Sequence, residues 1–148
     1  MHSDFATYPS LSGRTVFVTG GGSGIGAEIV SAFAAQGSRV GFLDIDERAS
    51  ASLVDTVDGE IAYEVCDLRE IDALHASLER LKSRLGAASV LVNNAARDDR
   101  HDWADVTPEY WDERMHTNLR HMFFAIQTVA PEMIAGGGGS IINMGSNS

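Results

Sequence analysis

The stretch Val18–Glu28, VTGGGSGIGAE, restricts what this chain can fold into more than any other. An apolar run, Thr15–Thr19, leads into it. A helical pattern follows, with Ile25, Ile29 and Phe33 on one face and Gly37 as a stop. Glycines at a strand-to-helix turn let the backbone fold tightly and approach a pyrophosphate. The helix start then offers unpaired N–H groups and the positive end of its dipole to that anion. Two registers can be read: Gly22-x-Gly24-x-x-Ala27, the general dinucleotide fingerprint, and Thr19-Gly20-x-x-x-Gly24-Ile25-Gly26, a more specific spacing. The competing reading is a mobile turn, and the position between strand and helix opposes it. No Lys-Ser or Lys-Thr follows the glycines, so a phosphate loop of the ATPase kind is excluded.

The rest of the chain repeats the alternation. Apolar runs rich in Val, Ile and Phe stand at Thr15–Thr19, Arg39–Asp44, Ile61–Cys66, Ser89–Asn93 and Ser140–Met144. They lack a period of two, as strands covered on both faces do. Between them, Ile71, Leu74, Leu78, Leu81 and Leu85 step by three and four, with Gly86 beyond. Thr107-Pro108 reads as an N-cap and first helical residue. From there Trp111, Met115, Leu119, Met122, Ile126 and Met133 form a long stripe, which Pro131 should kink or end early. Gly136–Gly139 reads as a helix-to-strand turn. The expected fold is α/β: a Rossmann-like, doubly wound parallel sheet with helices on both faces.

Asp44 ends the second strand, 20 residues after Gly24. A carboxylate there accepts hydrogen bonds from the adenine-side ribose and repels a 2′-phosphate. No cation is offered nearby for that phosphate, so the cofactor expected is NAD. The alternative is that Asp44 caps the next helix, with Glu47 as its partner, although Asp46 can serve that cap instead. Asp67, followed by Leu68 at the end of the third strand, also has two readings: a cap with Glu70, or a wall beside an adenine ring. Ser23, Ile25 and Ile45 complete the loop and acid positions expected to contact the cofactor.

At this point Thr19-Gly-x-x-x-Gly-Ile-Gly26, Asp67, Asn93-Asn94-Ala95-Ala96, Asn118 and Ser146 stand in an order that resembles the short-chain dehydrogenase/reductase family, of the NAD-preferring kind. The resemblance runs from about Leu11 to Ser148. It implies that Asn94, Ala95 and Ala96 line the cofactor, with Ala96 where glycine is commoner. It implies that Asn118 helps hold a water in a proton relay, against the alternative that it bonds backbone locally. It implies that Ser146 orients and polarises the reacting carbonyl or alcohol. The family's catalytic tyrosine, with a lysine four residues later, lies beyond the serine. Tyr8, Tyr63 and Tyr110 all precede Ser146 and lack that lysine. The chain is therefore expected to be the N-terminal, cofactor-binding portion of one dehydrogenase domain, inactive by itself.

Arg97–Trp103, RDDRHDW, follows the fourth strand, on the side where ligands bind in open sheets. Asp98, Asp99 and His101 offer donors and acceptors suited to a polyhydroxylated substrate, and Ser148 could line the same pocket. A solvated loop is the alternative. With VTPEYW and NLRHMFF after it, the segment resembles the family's aldose dehydrogenases, which oxidise C1 of a pentose or hexose to a lactone. A 3-oxoacyl reductase or other secondary-alcohol dehydrogenase is the runner-up, and a non-catalytic dinucleotide sensor the reading from another class. The resemblance further implies a homotetramer.

Composition excludes other classes. A net charge of −10 opposes a nucleic-acid surface. No run of 18 apolar residues offers a membrane span, and Met1–Gly13 has neither the basic start nor the apolar stretch of a secretory signal. One cysteine, Cys66, forms no internal disulfide, which fits a cytoplasmic setting. The five histidines lack zinc spacing, so no metal is expected, and Trp103 and Trp111 are expected to pack.

Overall fold

In a computed structural model that describes residues 6–146, five strands form one parallel sheet. They are β1 (Thr15–Thr19), β2 (Arg39–Asp44), β3 (Ile61–Val65), β4 (Val90–Asn93) and β5 (Ser140–Asn143), in the spatial order β3-β2-β1-β4-β5. The helices are α1 (Gly24–Ala35), α2 (Glu47–Thr56), α3 (Ile71–Leu85), α4 (Pro108–Met115) and α5 (His121–Ala135). The chain builds outward from β1 through β2 to β3, then crosses to the other side of β1 for β4 and β5. The strand order therefore reverses between β1 and β4, the place where open α/β sheets bind ligands.

Neighbouring residues of the central strands face opposite layers. Phe17, Leu43 and Leu91 pack with Leu74, Leu78 and Leu81 of α3 and with Ala125, Val129 and Met133 of α5. Val16, Val18, Val40, Phe42, Val90 and Val92 pack on the other face with Val30 and Ala34 of α1. Burial on both faces is the reason these strands show no alternation. β5 departs from that expectation. It is an edge, all four of its residues are exposed, and Ile141, Ile142 and Met144 are 39%, 43% and 40% accessible.

That uncovered edge carries a prediction. Unpaired backbone groups beside accessible Ile side chains form a template for strand addition. Residues 1–148 expressed alone are expected to self-associate at micromolar concentration in size-exclusion chromatography, and Ile142→Lys to reduce it. A monodisperse, cooperatively melting wild-type fragment would contradict this.

Two expectations for the helices are corrected. In α1 the buried residues are Gly26, Val30 and Ala34; Ile25 is 67% exposed, because at the first turn it faces the cleft described below rather than the sheet. The single long helix expected after Thr107 is divided by a π-helical segment, His116–Arg120. The extra residue per turn shifts the phase. α5 buries His121, Ala125, Val129 and Met133, whereas Trp111 and Leu119 are 60% and 55% exposed. Pro131 does not end α5, which continues to Ala135. Met133, beyond the proline, still lies in the core. Trp103, expected to pack, is 88% exposed on a short 3-10 turn. Gly136–Gly139 does form the turn: Gly137 and Gly138 have φ of +92° and +125°, and the N–H of Gly138 donates to the Met133 carbonyl at 2.7 Å. Among the described residues no helix is long and apolar enough to cross a membrane.

Candidate functional site

The glycine loop is anchored from below. The N–H groups of Gly20 and Gly21 donate to the Leu43 carbonyl at 2.7 and 3.2 Å, and that of Gly22 donates to Asp44 Oδ2 at 2.8 Å. Gly20 has φ +67°, and a Cβ there would lie 2.8 Å from Ala95 Cα. A Cβ on Gly26 would overlap the Gly20 carbonyl oxygen. α1 thus starts against the loop with no room for a side chain, and this contact selects the Thr19–Gly26 register. Ser23, at the N-cap, makes no side-chain cap, so the first-turn N–H groups stay available to an anion.

The second wall comes from β4. Asn94 Nδ2 donates to the carbonyls of Thr19 and Gly20 at 3.2 and 3.0 Å. The Thr19 hydroxyl oxygen accepts from the N–H groups of Asn94 and Ala95 at 3.1 and 3.2 Å. One step further, the Asn118 side chain closes on Arg97: Oδ1 accepts its N–H at 2.7 Å and Nδ2 donates to its carbonyl at 3.0 Å. Asn118 therefore bonds backbone, but 21 residues away rather than within its own helix. It stands in the π-helical segment, a distortion that recurs at functional sites.

The third wall is charged. Asp46, not Asp44, caps α2, its Oδ1 accepting from Ala49 N–H at 2.9 Å. Asp44 Oδ1 accepts from the Asp46 N–H at 3.0 Å. Asp67 does not form the cap that is one of its two readings, since Glu70 occupies the N-cap of α3 without a side-chain bond. Its carboxylate instead takes the Arg69 guanidinium, Nη2 to Oδ2 at 2.6 Å, and that hydrogen bond holds the carboxyl below its ordinary range. Arg69 and Arg97 both reach Glu113 Oε1 at 3.5 and 3.3 Å. The site thus carries two cations the sequence reading did not place there, both already paired with carboxylates.

These walls enclose a cleft of about 630 Å³ at the carboxyl ends of the strands. Gly20, Ser23, Ile25, Gly26, Asp44, Ile45, Asp67, Leu68, Asn94, Ala95 and Ala96, eleven of the twelve residues expected to contact the cofactor, line it. Gly24 does not; it shapes the turn with φ +52° and open space around it. Cys66, Arg69, Arg97, Glu113 and Thr117 also line it and were missed. Cys66, Arg69 and Arg97 adjoin the named strand ends, a signal that could have found them. Glu113 and Thr117 have no local signal beyond sharing a helix face four residues apart. Burial, foremost, pushes the Cys66 thiol up.

Other candidates lie apart from the cleft. Asp98, Asp99 and His101 are exposed and do not line it. Asp99 is held between Arg97 Nε at 2.8 Å and Arg114 Nη2 at 2.7 Å, and the His101 ring stacks on Tyr110 with centroids 3.9 Å apart. The bond from Arg114 lowers the Asp99 carboxyl's pKa. Ser146 is exposed beyond β5, three residues after Asn143, whose Oδ1 accepts from Asn93 Nδ2 at 2.8 Å. Ser148 lies outside the described residues.

Known proteins resemble this chain in sequence and fold. The short chain dehydrogenase family profile matches residues 14–148. The chain is 50% identical over 144 residues to a D-xylose 1-dehydrogenase of Caulobacter vibrioides, covering 95% of this chain and 56% of that protein. It is 49% identical over 143 residues to a probable galactose dehydrogenase of Rhizobium meliloti, covering 94% and 56%. Among solved structures, a variant short-chain dehydrogenase/reductase of Serratia marcescens superposes with TM-score 0.84 at 33% identity, covering 95% of this chain and 58% of that one. Actinorhodin polyketide ketoreductase with NADPH superposes at 0.85 and 29% identity, covering 95% and 55%. The chain spans about half the length of the curated relatives it matches.

Proposed function

This chain belongs to the short-chain dehydrogenase family, and from that premise we propose that the full-length protein is an NAD-dependent oxidoreductase that oxidises C1 of an aldose, a pentose or hexose, to a lactone. The observation that carries the cofactor half is the cleft itself. A glycine loop without room for Cβ atoms, an open helix N-terminus and Asp44 form a cradle that fits a dinucleotide. The sugar half is supported by relatives named for xylose, galactose, sorbitol and galactitol.

In this reading the bound nicotinamide supplies the hydride acceptor. Gly20 to Gly26 and the start of α1 hold its pyrophosphate, Asp44 its ribose, and Asp67 and Leu68 flank the adenine. Asn94, Ala95 and Ala96 hold the nicotinamide-ribose side. Ser146 would orient the substrate hydroxyl, and the family's tyrosine, which none of Tyr8, Tyr63 and Tyr110 matches, would take its proton. Asn118, whose side chain fixes the Arg97 backbone, helps hold a water in the proton relay. Asp98, Asp99 and His101, on the exposed loop after β4, would meet the part of the sugar that extends beyond the cleft. The exposed Leu119 and Phe123, within the stretch Met115 to Met133, are where subunits of a homotetramer would meet.

The test is a substrate panel on the full-length protein with NAD and NADP: several aldoses, simple secondary alcohols, a steroid and a 3-hydroxyacyl thioester. Turnover of aldoses with NAD, reduced by Asp99→Ala and His101→Ala, is the expected result. Turnover confined to the other substrates, or aldose kinetics indifferent to both substitutions, overturns the sugar assignment.

A further inference from the structure

His121 is fully buried, yet it is a polar ring at the first position of α5, where the π-helical segment ends. Its two nitrogens reach different elements. Nδ1 lies 2.8 Å from the Thr117 carbonyl, and Nε2 lies 3.3 Å from the Thr19 hydroxyl, 102 residues away in sequence. A carbonyl only accepts, so Nδ1 carries the proton and Nε2 is left as an acceptor. The Thr19 hydroxyl has one proton to give, and it goes to Nε2. Both oxygen lone pairs are then turned toward the N–H groups of Asn94 and Ala95. Burial lowers the pKa of His121, which keeps the ring neutral and Nε2 free to accept.

We propose that His121 is a positioning residue for the cofactor cleft: its ring joins Thr117 to Thr19 and thereby sets where Asn94 and Ala95 stand. The π-helical segment then holds the β4 wall twice, through Thr117, His121 and Thr19 on one side and through Asn118 and Arg97 on the other. Thr117 also lines the cleft, so a displacement of that segment is felt at both ends of the wall. Without an acceptor at position 121 the Thr19 hydroxyl proton has no assigned partner, and its oxygen can rotate away from the two N–H groups. Buried networks of this kind fail as units.

The inference rests on the reading that the cleft holds a dinucleotide, and two readouts on the full-length protein separate them. One is the dissociation constant for NAD. The other is hydrogen exchange at the Asn94 and Ala95 amides, which needs no cofactor. His121→Phe keeps the volume and removes both bonds. It is expected to speed exchange at those amides by about tenfold and to weaken NAD binding by about tenfold, the scale of one lost buried hydrogen bond. His121→Gln, whose side-chain oxygen can take the place of Nε2, should stay within about threefold of wild type, as should Thr19→Ser. His121→Asn, which can keep the Thr117 bond and not the acceptor, should resemble Phe, and this pair decides the matter if the Phe variant fails to fold. Thr19→Val also removes the acceptor of both amides, so it should exceed His121→Phe, and His121→Phe added to Thr19→Val should change little, since the ring acts through that hydroxyl. Unchanged amide exchange in His121→Phe, full additivity with Thr19→Val, or equal behaviour of the Gln and Asn variants overturns the proposal. Wild type that binds no dinucleotide overturns the cleft reading, and the amide exchange still judges His121.

Discussion

Gly26→Ala in the full-length protein is expected to weaken dinucleotide binding by about 100-fold, roughly 3 kcal/mol. The cause is space. The added Cβ falls on the Gly20 carbonyl oxygen and comes within 2.8 Å of Asn94 Nδ2. Those two groups are hydrogen-bonded to each other at 3.0 Å, so neither can yield alone. Either α1 moves off the loop or the Gly20 peptide turns, and both change the anion cradle. Overpacking of this kind also costs about 1–3 kcal/mol of stability, which should lower Tm by several degrees. Gly24→Ala is the control: its cost is the positive φ alone, about 1–2 kcal/mol, because nothing lies within 4 Å of the new atom. Calorimetric titration with NAD and a thermal melt measure both effects. Binding by Gly26→Ala within threefold of wild type would show that the loop does not set the cofactor's approach.

Asp44→Ala should lower the preference for NAD over NADP by roughly 10- to 100-fold, the scale of one charged hydrogen-bond partner. The ratio is the informative quantity, since Asp44 has a second task. Its two oxygens accept from Gly22 and Asp46, so removing it loosens the loop and weakens both cofactors together. That common loss cancels in the ratio. What remains is the ribose contact and the repulsion of a 2′-phosphate. A carboxylate has about four acceptor sites. Two are used here, which leaves capacity for the ribose hydroxyls. Dissociation constants for both cofactors, in wild type and variant, give the ratio. A ratio that stays put would remove Asp44 from the ribose role, and wild type with equal affinity for both would remove it outright.

Local pattern determined a large part of this protein. β1 and β2 have the bounds their apolar runs indicate, α3 buries Leu74, Leu78, Leu81 and Leu85 as their spacing requires, and Asp44 stands at the end of β2. Eight of the cleft residues were legible because glycine spacing and strand ends are properties of adjacent residues, and Asn94, Ala95 and Ala96 came from the family resemblance. The tertiary structure decided the rest. It placed Glu113 and Thr117 in the cleft, tied Asn118 to Arg97, engaged Asp99 with Arg114, and turned Ile25 toward the cleft instead of the core. It also set the phase of α5, because the π-helical segment rotates the stripe by one residue and brings His121 inside. The reason is common to all of these. Periodicity reports what a residue does relative to its neighbours along the chain. Whether Thr19 meets a carbonyl, a solvent molecule or a histidine 102 residues away depends on which strands lie beside β1, and that is fixed only when the crossover from β3 brings β4 to its open side.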